Sequence, residues 1–248
     1  MNEVHAILQG KGGVGKSYAA FILAQYLRSA DPDTVCLDTD PLTPTLVRYK
    51  ALDPKHLQIA DELTVRLDKF DEMIEIIANT QSDVLIDTGS STFIPISKYM
   101  VDYDIVEMIK ESFSKKVVIH VVLFAGNHGD LIATTTCLEA IASGFPESAQ
   151  IVVWMNEFGG PIKTSDGKPF EKSDLYNKIK DRISAIIYVP KPDELTARDV
   201  AAMQGSFLTF SEAHASPSFM LMQKSRLKKL QKTLFDQLDQ ASVAWKHD

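Results

Sequence analysis

The stretch Gly10-Lys11-Gly12-Gly13-Val14-Gly15-Lys16-Ser17 decides how this chain of 248 residues folds. An apolar run over 4–8 precedes it and reads as a buried strand. An amphipathic run over 16–28 follows and reads as a helix. Strand, glycine-rich turn and helix start, in that order, make a phosphate-binding loop. The four glycines let the backbone curl until its N–H groups point at one centre. The helix end adds its partial positive charge. Lys16 is placed to reach the β- and γ-phosphates of a nucleotide, and Ser17 to ligate Mg²⁺. Lys11 is not needed to fold such a turn; taken alone, a solvated charge is one reading of it.

Outward from the loop, short β-branched runs alternate with longer amphipathic ones. Residues 34–37, 84–86, 117–124, 151–155 and 185–189 read as further strands. Helical spacing covers 67–78, with apolar residues at 67, 70, 73, 74 and 77. Helices are also expected over 104–113, 130–142, 173–182 and about 217–241, joined in part by a polar loop over 159–172. The alternation predicts an α/β fold, a single domain over 1–248. Its mostly parallel, twisted sheet carries helices on both faces.

Composition narrows the function. No apolar run approaches the roughly 20 residues a membrane-spanning helix needs, so no integral membrane segment is expected. The chain passes straight into the first strand and the loop, which leaves no secretory signal and points to the cytoplasm. A net charge of -7 argues against a dominant nucleic-acid-binding surface, though not against a local basic patch. Cys36 and Cys137 lie in apolar patterns without CxxC spacing and read as buried free thiols. The six histidines are scattered, with no HExxH, and read as structural or surface residues. No Gly-x-Ser-x-Gly elbow supports serine hydrolase chemistry.

Carboxylates collect at strand ends. Asp38 and Asp40 are two residues apart and so point to one side, at the edge of a parallel sheet where ligands bind. A polar strand exit capped by Asp is the other reading. Residues 84–86 close on Asp87, and 151–155 close on Asn156. A GTPase would be expected to carry Asn-Lys-x-Asp, whereas this chain has Asn156-Glu157-Phe158-Gly159, which favours ATP.

The stretch from Lys11 to Ser17 resembles the deviant Walker A box of the ParA/MinD superfamily of P-loop NTPases. That resemblance implies a role for Lys11: it crosses a dimer interface to the phosphates held by the partner subunit. The implied assembly is a homodimer with ATP sandwiched between subunits. In it Lys11 acts somewhat as an arginine finger, a cation placed where negative charge accumulates. The box at 38–41 is similar to the family's Walker A′ motif, which implies that Asp38 helps hold the Mg²⁺ shell and Asp40 positions the attacking water. Asp87 then matches the Walker B carboxylate on a magnesium-bound water, and Thr88, Gly89 and Ser90 a switch loop. By the same resemblance Asn156 contacts the adenine, or else is a plain strand exit. Pro190 begins the base-flanking loop. Tyr18 completes the nucleotide-contacting run of 10–18. The implied set is ATP with Mg²⁺; Lys11, Lys16 and Asp40 in catalysis; Ser17, Asp38 and Asp87 around the metal.

The likeness continues in 4–16, 153–156, 160–162, 226–228 and 234–239. These look like plasmid conjugal-transfer proteins of the TraL type and StbB-like plasmid stability proteins, which implies a DNA or conjugation-protein partner. The last helix has Leu227, Leu230, Leu234 and Leu238 on one stripe and Lys224, Arg226, Lys228, Lys229 and Lys232 mostly elsewhere. A solvated face, a DNA or protein contact and a membrane contact remain open there. Other roles suit the same scaffold. A dethiobiotin-synthetase-like enzyme needs a substrate pocket that no motif here marks. An iron–sulfur reductase needs more cysteines. A binding scaffold needs almost no turnover.

Overall fold

The computed structural model describes residues 2–61, 64–164 and 166–246. In chain order the elements are β1 (Asn2–Ile7), α1 (Lys16–Ala30), β2 (Val35–Asp38), β3 (Lys55–His56), β4 (Ala60–Asp61), β5 (Thr64–Val65), α2 (Leu67–Asn79), β6 (Val84–Asp87), α3 (Phe93–Asp102), α4 (Ile105–Phe113), β7 (Lys115–Phe124), α5 (His128–Gly144), β8 (Gln150–Asn156), α6 (Asp174–Ile179), β9 (Ile183–Val189), α7 (Glu194–Gly205), α8 (Phe210–Ala215) and α9 (Leu221–Lys246). Seven strands form one sheet in the order β3-β2-β6-β1-β7-β8-β9, and every neighbouring pair is parallel. β4 and β5 form a separate antiparallel hairpin.

Alternation along the buried strands feeds two cores. Val4, Ala6 and Leu8 join Val117, Ile119, Val121 and Leu123 on one face, under α2 to α6. Ile7, Val118, Val122 and Trp154 face the other way, under α1, α7, α8 and α9. Both faces of the sheet are covered, so its strands read as continuous apolar runs. The leucine stripe expected on the last helix is buried there, and Ala241 and Trp245 continue it.

That helix is shifted from the expected 217–241. Its start moves to Leu221 because the turn before it sends Phe219 into the core, while Gln223 Oε1 accepts the Met220 N–H at 2.9 Å. Its basic face is also less open than expected. Arg226 Nε donates to Asp199 Oδ2 at 2.6 Å and Gln223 Nε2 to Asp199 Oδ1 at 3.0 Å, fastening α9 to α7. Lys228, Lys229 and Lys232 stay exposed.

Two of the histidines are tied into the second core. Trp154 Nε1–H donates to His120 Nδ1 at 3.0 Å, so the proton of His120 sits on Nε2 and is donated to His5 Nδ1, also at 3.0 Å. His5 then carries its own proton on Nε2, which faces Glu3 Oε2 at 3.2 Å. Glu3, His5 and Asp83 are spaced as metal ligands, but a protonated Nε2 has no lone pair to give. Burial holds the His120 pKa well below its ordinary value.

Candidate functional site

Register brings the site together. Asp38 of β2 and Ile7 of β1 both pair with Asp87 of β6, so the strand ends stand level. The glycine-rich loop leaves β1 at that same edge and enters α1. Gly15 directly precedes the helix, with φ of 99°. Gly13 is also left-handed, at 75°, whereas Gly10 and Gly12 are not; only two of the four glycines are required by backbone conformation.

The loop is braced from outside. Gln9, fully buried, donates from Nε2 to Val122 O of β7 at 2.7 Å and accepts the Lys11 N–H at 3.3 Å. Asn156 Nδ2 donates to Val14 O at 2.8 Å, and its Oδ1 accepts the Phe158 N–H at 3.2 Å. The amide of Asn156 thus ties the end of β8 to the loop itself. A β-carbon on Gly15 would stand 2.6 Å from Asn156 Nδ2. Gly15→Ala is therefore expected to displace Asn156 and to force a left-handed alanine. The cost is about 1–3 kcal/mol of stability, read from urea unfolding at constant slope.

Lys16 is 7% exposed, and its Nζ donates to Lys11 O at 3.0 Å. Burial lowers its pKa, while the charges of Asp87 and Asp40 oppose that shift. Lys11 points elsewhere: its Nζ lies 3.2 Å from Asp130 Oδ1, at the start of α5.

The carboxylates differ in how they are held. Asp38 is buried; its Oδ1 accepts the Asp40 N–H at 3.1 Å and its Oδ2 the Val47 N–H at 3.2 Å. Burial raises its pKa, and those backbone bonds counter it. Asp40 Oδ1 accepts from the Leu42 and Thr43 N–H groups at 2.9 and 3.0 Å, and its Oδ2 from the Thr43 hydroxyl at 3.1 Å. It lies against Gly89, where a β-carbon would stand 2.9 Å from its Cγ. The chain is pinned at Asp87 and Thr88. The Thr88 hydroxyl donates to Ile7 O at 2.5 Å, and Thr39 donates twice to Asp87 O, at 2.8 and 2.9 Å.

Asp87 is different. It is fully buried, and both carboxylate oxygens lack a hydrogen-bond partner among the described residues. Burial first, then the neighbouring Asp38, push its pKa up to about 7; the nearby Ser17 hydroxyl, which does not reach full hydrogen-bond geometry, and the Lys16 charge pull the other way. A buried carboxylate so placed is costly unless a cation answers it. Ser17, Asp38 and Asp87 offer oxygen only, the donor set that suits Mg²⁺ with its retained waters. A carboxyl raised on folding stabilises the chain below its unfolded pKa near 4, and that contribution is lost as pH rises through about 7. The nucleotide-free chain is therefore expected to lose about 2–3 kcal/mol more than Asp87→Asn between pH 5 and pH 8. Denaturant midpoints of the two proteins at the two pH values measure it.

Further along the edge, Tyr18 stacks on Phe21 at 6.3 Å and meets Phe158 edge-on at 5.7 Å between ring centroids. Its hydroxyl is buried without a hydrogen-bond partner among the described residues, and burial pushes its pKa up. Pro190 directly follows Val189, which pairs with Asn156, so it stands one strand beyond that side chain. The structure thus gathers residues 10–18, Asp38, Asp40 and Asp87 at one edge, with Asn156 behind the loop and Pro190 beside it. Sequence reasoning missed Gln9 and Asp130. A fully polar residue directly after an apolar strand was the available sign for Gln9; Asp130 carried none beyond its place at a helix start.

Residues 5–241 match the model of the CobQ/CobB/MinD/ParA nucleotide-binding domain. Two Escherichia coli proteins called TraL are similar over the whole length. One is 41% identical over 98% of this chain and 100% of its own; the other is 38% identical over the same shares. Among solved structures, the MinD cell division protein of Aquifex aeolicus is 14% identical, with a TM-score of 0.48 over 94% of this chain and 97% of that one. No helix among the described residues is long and apolar enough to cross a membrane.

Proposed function

Because the chain belongs to the CobQ/CobB/MinD/ParA nucleotide-binding domain family, we propose that it is an ATP-binding and ATP-hydrolysing dimer switch acting in plasmid conjugal transfer, stability or positioning, in the cytoplasm. The observation that carries this reading is the division of labour between the two loop lysines. Lys16 is buried over its own loop, and Lys11 is turned outward with its side chain 42% exposed. A cation that leaves its own phosphate site to another residue is available to a second subunit's site.

In this reading the nucleotide, with Mg²⁺, supplies the phosphoanhydride bond and the metal's charge. Loop N–H groups and Lys16 hold the phosphates. Ser17, Asp38 and Asp87 would hold the metal, whose charge would answer the two Asp87 oxygens that have no hydrogen-bond partner among the described residues. Asp40, fixed by the backbone of Leu42 and Thr43, orients the attacking water. Its contact with Gly89 links it to the switch loop, which supports sensing of the γ-phosphate there. Lys11 arrives from the partner subunit. The role in plasmid biology rests on the likeness to the TraL proteins. The partner is DNA or a protein of the transfer apparatus, and exposed Lys228, Lys229 and Lys232 offer one contact face. ATP turnover measured alone, with DNA and with candidate plasmid proteins tests the reading. Slow turnover that a partner stimulates supports it; turnover that depends on a small carboxylate substrate overturns it.

A further inference from the structure

The side chain on which the switch depends is already engaged. Lys11 Nζ meets Asp130 Oδ1 at 3.2 Å, and the two ends of that contact differ. Asp130 is 14% exposed and fixed. Asn127 Nδ2 donates to its Oδ2 at 2.7 Å, and its own N–H donates to Asn127 Oδ1 at 3.0 Å. The chain closes over it at Gly126, where a β-carbon would stand 2.8 Å from that same Oδ2. Lys11 by contrast has, among the described residues, Asp130 as the one partner of its side chain, and its backbone is held through its N–H to Gln9 and its carbonyl to Lys16. A sheltered, hydrogen-bonded carboxylate thus holds a partly exposed cation at the rim of the nucleotide site.

Resting on the reading that Lys11 acts in trans, we infer that Asp130 is a resting-state anchor for Lys11, a positioning residue that must release the lysine before a dimer forms. The lysine leaves one carboxylate only for a stronger concentration of negative charge. A triphosphate in the partner's loop offers more of it than a diphosphate, so the anchor raises a threshold for assembly that the triphosphate clears more readily. A partly exposed ion pair shifts an equilibrium by up to about 5-fold. A two-fold dimer breaks two such pairs, which makes up to about 25-fold in the dimer constant.

Sedimentation equilibrium of the full chain with Mg²⁺ and a slowly hydrolysed ATP analogue tests this. Asp130→Asn keeps an oxygen for Asn127 and removes the charge. It is expected to tighten the dimer by up to about 25-fold, and Asp130→Glu to behave as the wild type. In a Lys11→Ala background Asp130→Asn should have no effect, because the lysine it acts through is gone. If Lys11→Ala weakens the dimer but Asp130→Asn leaves it unchanged or weaker, the anchor is wrong and the switch stands. The anchor is equally wrong if the effect of Asp130→Asn persists without Lys11. If Lys11→Ala dimerises as the wild type does, the switch itself fails and the anchor with it. Where Asp130→Asn folds poorly, Asp130→Ser with wild-type unfolding behaviour serves in its place and keeps these arms readable.

Discussion

Lys16→Ala is expected to lower ATP affinity by about 100-fold or more. The side chain is almost fully buried and already donates into the loop, to Lys11 O at 3.0 Å. Charge-assisted hydrogen bonds to phosphate are worth about 1.5–3 kcal/mol each, and one ammonium makes more than one. The loss is compounded by the neighbouring acids. Lys16 is one of the charges that favour ionised Asp87, so its removal leaves Asp87 and Asp38 facing each other with less compensation. Isothermal titration with Mg²⁺ and the slowly hydrolysed analogue measures the change. An affinity within about 3-fold of the wild type would contradict the assignment of Lys16 to the phosphates.

The second large effect separates binding from turnover. Lys11→Ala is expected to bind ATP as the wild type does, within about 3-fold, and to lose turnover by about 100-fold or more. Its contribution to its own loop is made by backbone groups that alanine keeps: the N–H to Gln9 Oε1 and the carbonyl to Lys16 Nζ. Its ammonium reaches Asp130 and not the loop. Parallel titration and phosphate-release assays check both halves. Equal loss of binding and turnover would make Lys11 an ordinary phosphate ligand in cis.

Much of this architecture is written in short stretches of chain. The strand, loop and first helix were legible because the motif is contiguous and each part has its own local chemistry. β7 was legible because its apolar run is long; its observed span, Lys115–Phe124, begins two residues earlier than expected because Lys115 is drawn in by bonds from its Nζ to Thr80 O and Ser82 O. α3 was not legible as a helix: Pro95 and the serine- and threonine-rich lead-in carry the marks of a loop. Proline is tolerated in the first helical turn, where its missing N–H has no intrahelical partner to lose. α7 and α8 carry cap signals of their own in the sequence. Asp193 caps with the Thr196 N–H at 3.0 Å, and Thr209 with Glu212 forms a full capping box. β3, β4 and β5 have two residues each, too few for any periodicity.

The site divides along the same line. Asp38, Asp40 and Asp87 were visible as carboxylates at strand ends, and parallel register does the rest. The structure adds what no spacing carries. Asp87 is buried without a hydrogen-bond partner in full geometry among the described residues, Asn156 is taken up by the loop carbonyl of Val14, and Asp130 arrives from α5 to hold Lys11. Each depends on contacts between segments far apart in the chain.

The central claim is that ATP, and not ADP, brings two copies of the chain together. Size-exclusion chromatography with light scattering, run with Mg²⁺ and in turn ADP, ATP and the slowly hydrolysed analogue, tests it most directly. The expected result is a monomer with ADP and a dimer with the analogue, with ATP passing from one towards the other as it is consumed. A monomer under all three conditions would contradict the claim.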